Sequence, residues 1–175
     1  GTTETFTEWL AAASNGAWPH EPSGDWPLTG GQSGAQTQGM IDTVSSAEGA
    51  IGYADASRAG DLGTVAIGVG DAFVPYSAEA AAKVVDASPK AEGASDKQLT
   101  IELDRATTAE GAYPLVLISY SIACSRYDSE QDAQNVREFL SYVASEEGQQ
   151  RAAEPAVAGS APISGDLRSA VEAAI

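Results

Sequence analysis

The sequence predicts a layered α/β fold. Three observations carry that prediction. Apolar residues recur at helical spacing in several stretches, and short β-branched runs lie between them. The run from Pro114 to Cys124 is nearly continuous in apolar and β-branched residues, as in strands buried on both faces of a mostly parallel sheet. Helices alternating with short buried strands stack as layers, and no repeat of solenoid period is visible.

Taken in order, Phe6, Trp9, Leu10 and Ala13 fall at i, i+3, i+4 and i+7, so the chain opens in an amphipathic helix that Asn15-Gly16 ends. Residues 16–35 are rich in Gly, Pro and Ser and read as a long loop anchored by Trp18 and Trp26, each followed by Pro. Loops of that length without structure of their own are usually functional or packed on a neighbour. A second helix is expected from Gln36 to Ser46, with Met40, Ile41 and Val44 inward. Residues 50–54 and 65–69 read as short strands. Ser77 caps a helix running to about Val85. Residues 89–97 are small, polar and charged, an exposed excursion, and the alternation of Leu99, Ile101 and Leu103 suits an edge strand. Ser129 with Asp132 resembles a capping box ahead of a strong helix through Ala133, Val136, Leu140 and Val143. Gly148 to Ala153 continue as a short helix, and Ser164 caps the last one, whose inward face is Leu167, Val171 and Ile175.

At 175 residues such a chain can bury roughly 70% of its unfolded surface, enough for one or two modest cores. The composition, 43% hydrophobic and 19% charged, is globular. No apolar run reaches the ~20 residues a membrane-spanning helix needs. The N-terminal residues do not read as a signal peptide, so a mature or trimmed product, or a cytoplasmic protein, is expected. A net charge of −16 with nine Lys and Arg excludes a basic nucleic-acid stripe and argues against anionic lipid. It weakens an anionic ligand only slightly. Charges in solution are screened beyond ~8 Å, and anions are held by local N–H donors. The single cysteine, Cys124, excludes an internal disulfide or thiolate metal cluster and reads as a small buried hydrophobe.

Catalytic chemistry finds little support. His20 is the lone histidine and reads as a surface residue, with no metal site around it. Gly31-Gln32-Ser33-Gly34-Ala35 loosely fits a nucleophile elbow, but a Gly- and Pro-rich loop precedes it, and His20 lies before Ser33 instead of after it. Asp25, Glu48, Asp55 and Asp71 are scattered at loop ends. The Gly-rich stretch at 30–34 lacks the Lys-Ser/Thr of a P-loop. Gly1-Thr2-Thr3, leading straight into the first helix, is the candidate ligand-binding site. A helix N-terminus offers free N–H groups and a positive dipole end, Gly permits close approach, and Thr adds hydroxyls. Taken alone, this triplet is better read as a Thr cap at a frayed terminus, because every N-terminal helix looks like this.

The order of motifs adds a resemblance. Gly1-Thr2-Thr3 followed by Phe6 and Trp9-Leu10 resembles the Ser-Gly-Thr-Ser/Thr-Phe helix start of PstS-type phosphate-binding proteins. Trp26-Pro27-Leu28, Gly30-Gly31 and the helix with Gly39 resemble that family's Trp-Pro, Gly-Gly loop-to-helix segment. Gly49-Ala50-Ile51-Gly52-Tyr53 is similar to its Gly-Ala/Ser-Ile-Gly-Tyr strand and is the most specific stretch. Phe73 to Ser77, Ala112 to Leu115, and Phe139 to Tyr142 with Gly148-Gln149 follow in the family's order.

The resemblance implies a type II periplasmic-binding-protein fold with three-layer α/β lobes and inorganic phosphate clamped between them. It implies delivery to the membrane subunits of an ABC importer, with no catalysis, no cofactor and no metal. It implies an extracytoplasmic place, in the periplasm or on the cell surface. The Ala-, Gly- and acid-rich composition of a high-GC bacterium favours a lipid-anchored protein. It also implies that the chain is the C-terminal portion only, with residues 1–110 part of the second lobe and 111–175 returning to complete the first. The Arg, Asp and Ser of the family's motif would lie upstream of Gly1, so Gly1, Thr2 and Thr3 alone carry over. Apolar surface around Leu115 to Ile122 is then expected to be exposed and to be covered by the missing N-terminal half or a swapped copy. The alternatives are a binding protein for another oxyanion or small ligand, or a signalling or adhesion domain of the same fold.

Overall fold

The computed structural model describes residues 1–175. Helix α1, Thr2–Ala13, forms where the opening periodicity places it, and Asn15 and Gly16 end it in left-handed conformations, φ 51° and 83°. Phe6, Trp9 and Leu10 are only half-buried; the fully buried side chain of α1 is Thr7. Its hydroxyl oxygen accepts from Ser23 N–H at 2.9 Å, with Ser23 O at 2.9 Å and Glu4 O at 3.0 Å as the acceptors its single proton can serve. One threonine therefore pins the middle of the 16–35 loop to the helix. Helix α2, Gln36–Ser45, follows, with Met40, Ile41 and Val44 half-buried along one side.

Strand β1, Ile67–Val69, pairs antiparallel with β2, Ala72–Val74, matching Ile67 to Val74 and Val69 to Ala72. Gly70 takes φ 57° at the first position of the two-residue turn, where a hairpin of this hand requires a positive angle. β2 lies outside the expected strands, although Gly-Asp between two apolar runs is a recognised hairpin signal. Ile67, Val69 and Val74 join Ala80 in the main core cluster, with Trp9, Tyr113 and Leu115 packed against it. Burial, with Tyr76 nearby, pushes the Tyr113 phenol up from its ordinary range.

Helix α3, Ala78–Ala87, starts at Ser77, whose hydroxyl accepts from Ala80 N–H at 3.1 Å. In its first turn Glu79 sits below the ordinary carboxylate range, because backbone N–H and then the Ser77 hydroxyl donate to the ionised form. A depressed folded-state value adds stability above the ordinary carboxylate range, and this is lost as pH falls through the folded value. Helicity followed by circular dichroism should show Glu79→Gln slightly less stable than the parent at neutral pH, the two curves meeting under strong acid. A difference that persists at low pH would contradict this assignment.

Helix α4, Glu130–Ala144, starts at Ser129, which accepts from Asp132 N–H at 3.2 Å. Ser145 ends α4 and also caps α5, Glu146–Ala153, through Gly148 N–H at 3.1 Å. Helix α6, Gly165–Ala174, is capped by Ser164, which also donates to Asp86 at the end of α3, 2.7 Å away. Helix α4 packs on both α5 and α6. No helix is long and apolar enough to cross a membrane.

Three expected strands are not strands. Residues 50–54 run irregularly, with Ile51 82% exposed. The 99–103 stretch is reduced to one bridge, Lys90 to Ile101. Residues 114–124, expected to be buried on both faces, form no strand, and Leu117 is 67% and Ile122 96% exposed. The cause is shared. An apolar extended segment becomes a strand only where neighbouring main chain pairs its N–H and C=O groups; residues 89–91 do so for 99–103 over one bridge alone, and 50–54 and 114–124 pair with no neighbouring strand. Three-layer lobes and a mostly parallel sheet are therefore not formed by these residues; the sheet is one antiparallel hairpin. Cys124 is likewise exposed instead of buried.

Candidate anion site

The first turn of α1 faces solvent. Gly1 and Thr2 are exposed and Thr3 is half-buried. The helical ladder begins with Thr5 N–H on Gly1 O at 2.9 Å, and no side chain caps the turn. The N–H groups of Thr2, Thr3 and Glu4 therefore precede the ladder and have no acceptor within the helix. Partial positive charge gathers at such an end. Glu4 places a carboxylate in the same turn, the acidic residue a helix dipole favours and an incoming anion must oppose.

Behind the turn, Thr3 Oγ1 and the Tyr53 hydroxyl are hydrogen-bonded at 3.0 Å. The Tyr53 ring stacks on Phe6 with centroids 4.4 Å apart and lies 5.7 Å from Trp26, which is 5.1 Å from Trp18. Motifs far apart in the chain, at 1–6, 18–26 and 53, thus meet in one aromatic cluster that backs the helix start. Stacked and tilted rings at these separations attract beyond their burial alone. The Tyr53 hydroxyl as partner of Thr3 was not foreseen from the sequence; the Gly52-Tyr53 pair was read only as strand.

Of the remaining candidates, His20 packs edge-on against Trp18 at 5.0 Å. No three His, Cys, Asp or Glu side chains are gathered in a group that could hold a metal ion. Ser33 sits in irregular chain before α2 with no strand ahead of it, so the strand–turn–helix of a nucleophile elbow is missing. Asp55 accepts from Ser57 N–H at 2.9 Å and starts a 3-10 turn at Ala56–Arg58, a structural duty. Neither of two surface grooves includes Gly1, Thr2 or Thr3. One, about 230 Å³, lies between α2 and residues 50–51; the other, about 310 Å³, runs beside Glu8, Arg105 and residues 117–120.

Arg105 is a second residue that no motif revealed. Its side chain is only 10% exposed, and it forms an ion pair with Glu8 of α1 at 2.9 Å. Nε also donates to Glu8 at 3.1 Å, while Nη1 donates to the carbonyls of Pro114 and Val116, both at 2.9 Å.

Comparison with known proteins bears on what this helix start is for. The family description "PBP superfamily domain" matches residues 1–147. The chain belongs to the PBP superfamily. Among curated relatives, the phosphate-binding protein PstS 3 of Mycobacterium leprae is 27% identical over 144 residues, covering 80% of this chain and 39% of that protein. The phosphate-binding protein PstS 2 of Mycobacterium tuberculosis is 26% identical with the same coverage. This PBP-superfamily chain therefore spans about 39% of the length of those relatives. No solved structure matches it significantly.

Proposed function

We propose that the chain is part of an extracytoplasmic solute-binding protein that captures inorganic phosphate for an ABC importer, by hydrogen bonds alone and without catalysis. The observation that carries the reading is the match of the PBP superfamily domain to residues 1–147, together with relatives named phosphate-binding proteins. It is supported by the uncapped first turn of α1, where Gly1, Thr2 and Thr3 offer backbone N–H groups and two hydroxyls to an oxyanion. In this reading residues 1–110 belong to one lobe, and 111–175 cross back to complete the other. The missing N-terminal half, or a swapped copy, supplies the facing ligand groups and covers the exposed 115–122 segment. The full-length protein sits outside the cytoplasmic membrane, held by a lipid anchor, and meets the importer's membrane subunits there.

Calorimetric titration of the full-length protein with phosphate, sulfate and arsenate tests this. Phosphate and arsenate should bind and sulfate should not, because the carboxylate that the resemblance places upstream of Gly1 would accept from the protonated oxygen and reject the fully ionised anion. Thr2→Val should weaken phosphate about tenfold, the worth of one hydroxyl bond to a charged group, while Glu4→Gln should strengthen it by removing the opposing carboxylate. Heat with sulfate but none with phosphate would move the assignment to another oxyanion. Unchanged affinity in Thr2→Val would remove the helix start from the site.

A further inference from the structure

We propose that Arg105 is a positioning residue: its guanidinium latches the main chain of residues 114–116 to helix α1, so that the helix carrying the anion site and the segment leading away from it are set together. The ligand-dependent part of this rests on the phosphate reading above.

The geometry is specific to arginine. A planar fork reaches Glu8 with Nε and Nη2 while Nη1 bridges two carbonyls, Pro114 and Val116, on one irregular segment. Lysine keeps the charge but cannot present that fork. Apolar packing holds the segment's start, with Pro114 buried and Leu115 against the core, but few other hydrogen bonds do. Tyr113 N–H donates to Ala80 O at 2.9 Å, and Ile101 N–H donates to the Tyr120 hydroxyl at 2.9 Å, yet residues 114–128 form no backbone–backbone hydrogen bond. The two Arg105 bonds are thus the only hydrogen bonds to the carbonyls between those anchors. The pair also spans the chain, joining residue 8 to residue 105 and then to 114 and 116. Glu8 lies six residues beyond Thr2, about 9 Å along the helix axis, on a rigid element that passes displacement to the first turn. A segment that shifts against α1 must break either the carboxylate bonds or the carbonyl bonds, since one guanidinium cannot stretch to both.

The test uses the full-length protein, unsubstituted and as Arg105→Lys, Glu8→Gln and the double variant, with phosphate titration, thermal midpoint and carbonyl ¹³C chemical shifts of residues 114 and 116. Arg105→Lys should move both carbonyl signals and raise the phosphate Kd about fivefold to tenfold. Glu8→Gln should raise Kd similarly, and the double variant should be no worse than Arg105→Lys, because residues of one network are not additive. Wild-type affinity in either single variant, with only a lower thermal midpoint, reduces Arg105 to a structural residue and overturns the proposal. If the unsubstituted protein takes no phosphate, the functional reading fails and the latch is judged on the carbonyl signals: shifts unmoved by Arg105→Lys overturn it, and shifts that move uphold it.

Discussion

Ile122→Asp is expected to do nothing to this chain and great harm to the full-length protein. In the chain Ile122 is 96% exposed, so a carboxylate there stays hydrated and the thermal midpoint should move by no more than about 2 °C. In the proposed two-lobed protein the same position is covered, and an unpaired carboxylate taken out of water costs about 3 kcal/mol or more. Parallel thermal unfolding of the two proteins checks the difference. An equal, negligible effect in both would show that nothing covers residues 115–122 and would end the half-protein reading. The premise rests on burial. Only 13 of the 175 residues are buried, and these are divided among a small hairpin core and scattered polar positions. The chain exposes 11812 Å², whereas a compact monomer of 17.9 kDa exposes about 8000 Å².

The second large effect is expected at Gly148. A Cβ built there meets the Tyr142 carbonyl oxygen in direct overlap, and also lies 3.0 Å from Tyr142 C and 3.3 Å from Ser145 Oγ. The obstructing atoms are main chain at the corner between α4 and α5, so no rotamer change relieves them. Gly148→Val should therefore lower stability by about 3 kcal/mol, or about 6–12 °C for a chain of this size. Loss of the corner should be seen in near-ultraviolet dichroism of Tyr142 before overall helicity is lost. A midpoint within about 2 °C of the parent would mean the corner opens without penalty.

Helices were legible because their signals are local. Ser77, Ser129 and Ser164 each cap the helix that the sequence predicts for them, and the bounds of α1 and α2 differ from expectation by few residues. Strands were legible only where the partner lies next in the chain, as in β1 and β2. Residues 114–124 have every local mark of a buried strand, yet pairing is a property of two segments, and the second is not among these residues. The site was partly legible. Gly1, Thr2 and Thr3 stand at an open helix start as expected, and Trp26 and Tyr53 were singled out by motif before their rings were seen to meet. Thr7 and Arg105 were not, because each acts through partners at least 16 residues away or nine residues ahead, beyond any periodicity. Glu102 and Asp104 lie beside Arg105 in the chain, yet its ion pair is with Glu8 across the fold.

One serine, Ser145, forms the corner between α4 and α5. The family's sequence signature stops at residue 147, inside the first turn of α5, while α5 and α6 fold as one piece with α4. A single hydroxyl shared by two helices makes that junction an elbow, so one change at Ser145 loosens the end of α4 and the start of α5 together. The outer faces of residues 148–175 therefore tolerate substitution better than Ser145 and Gly148, on which the elbow's geometry turns.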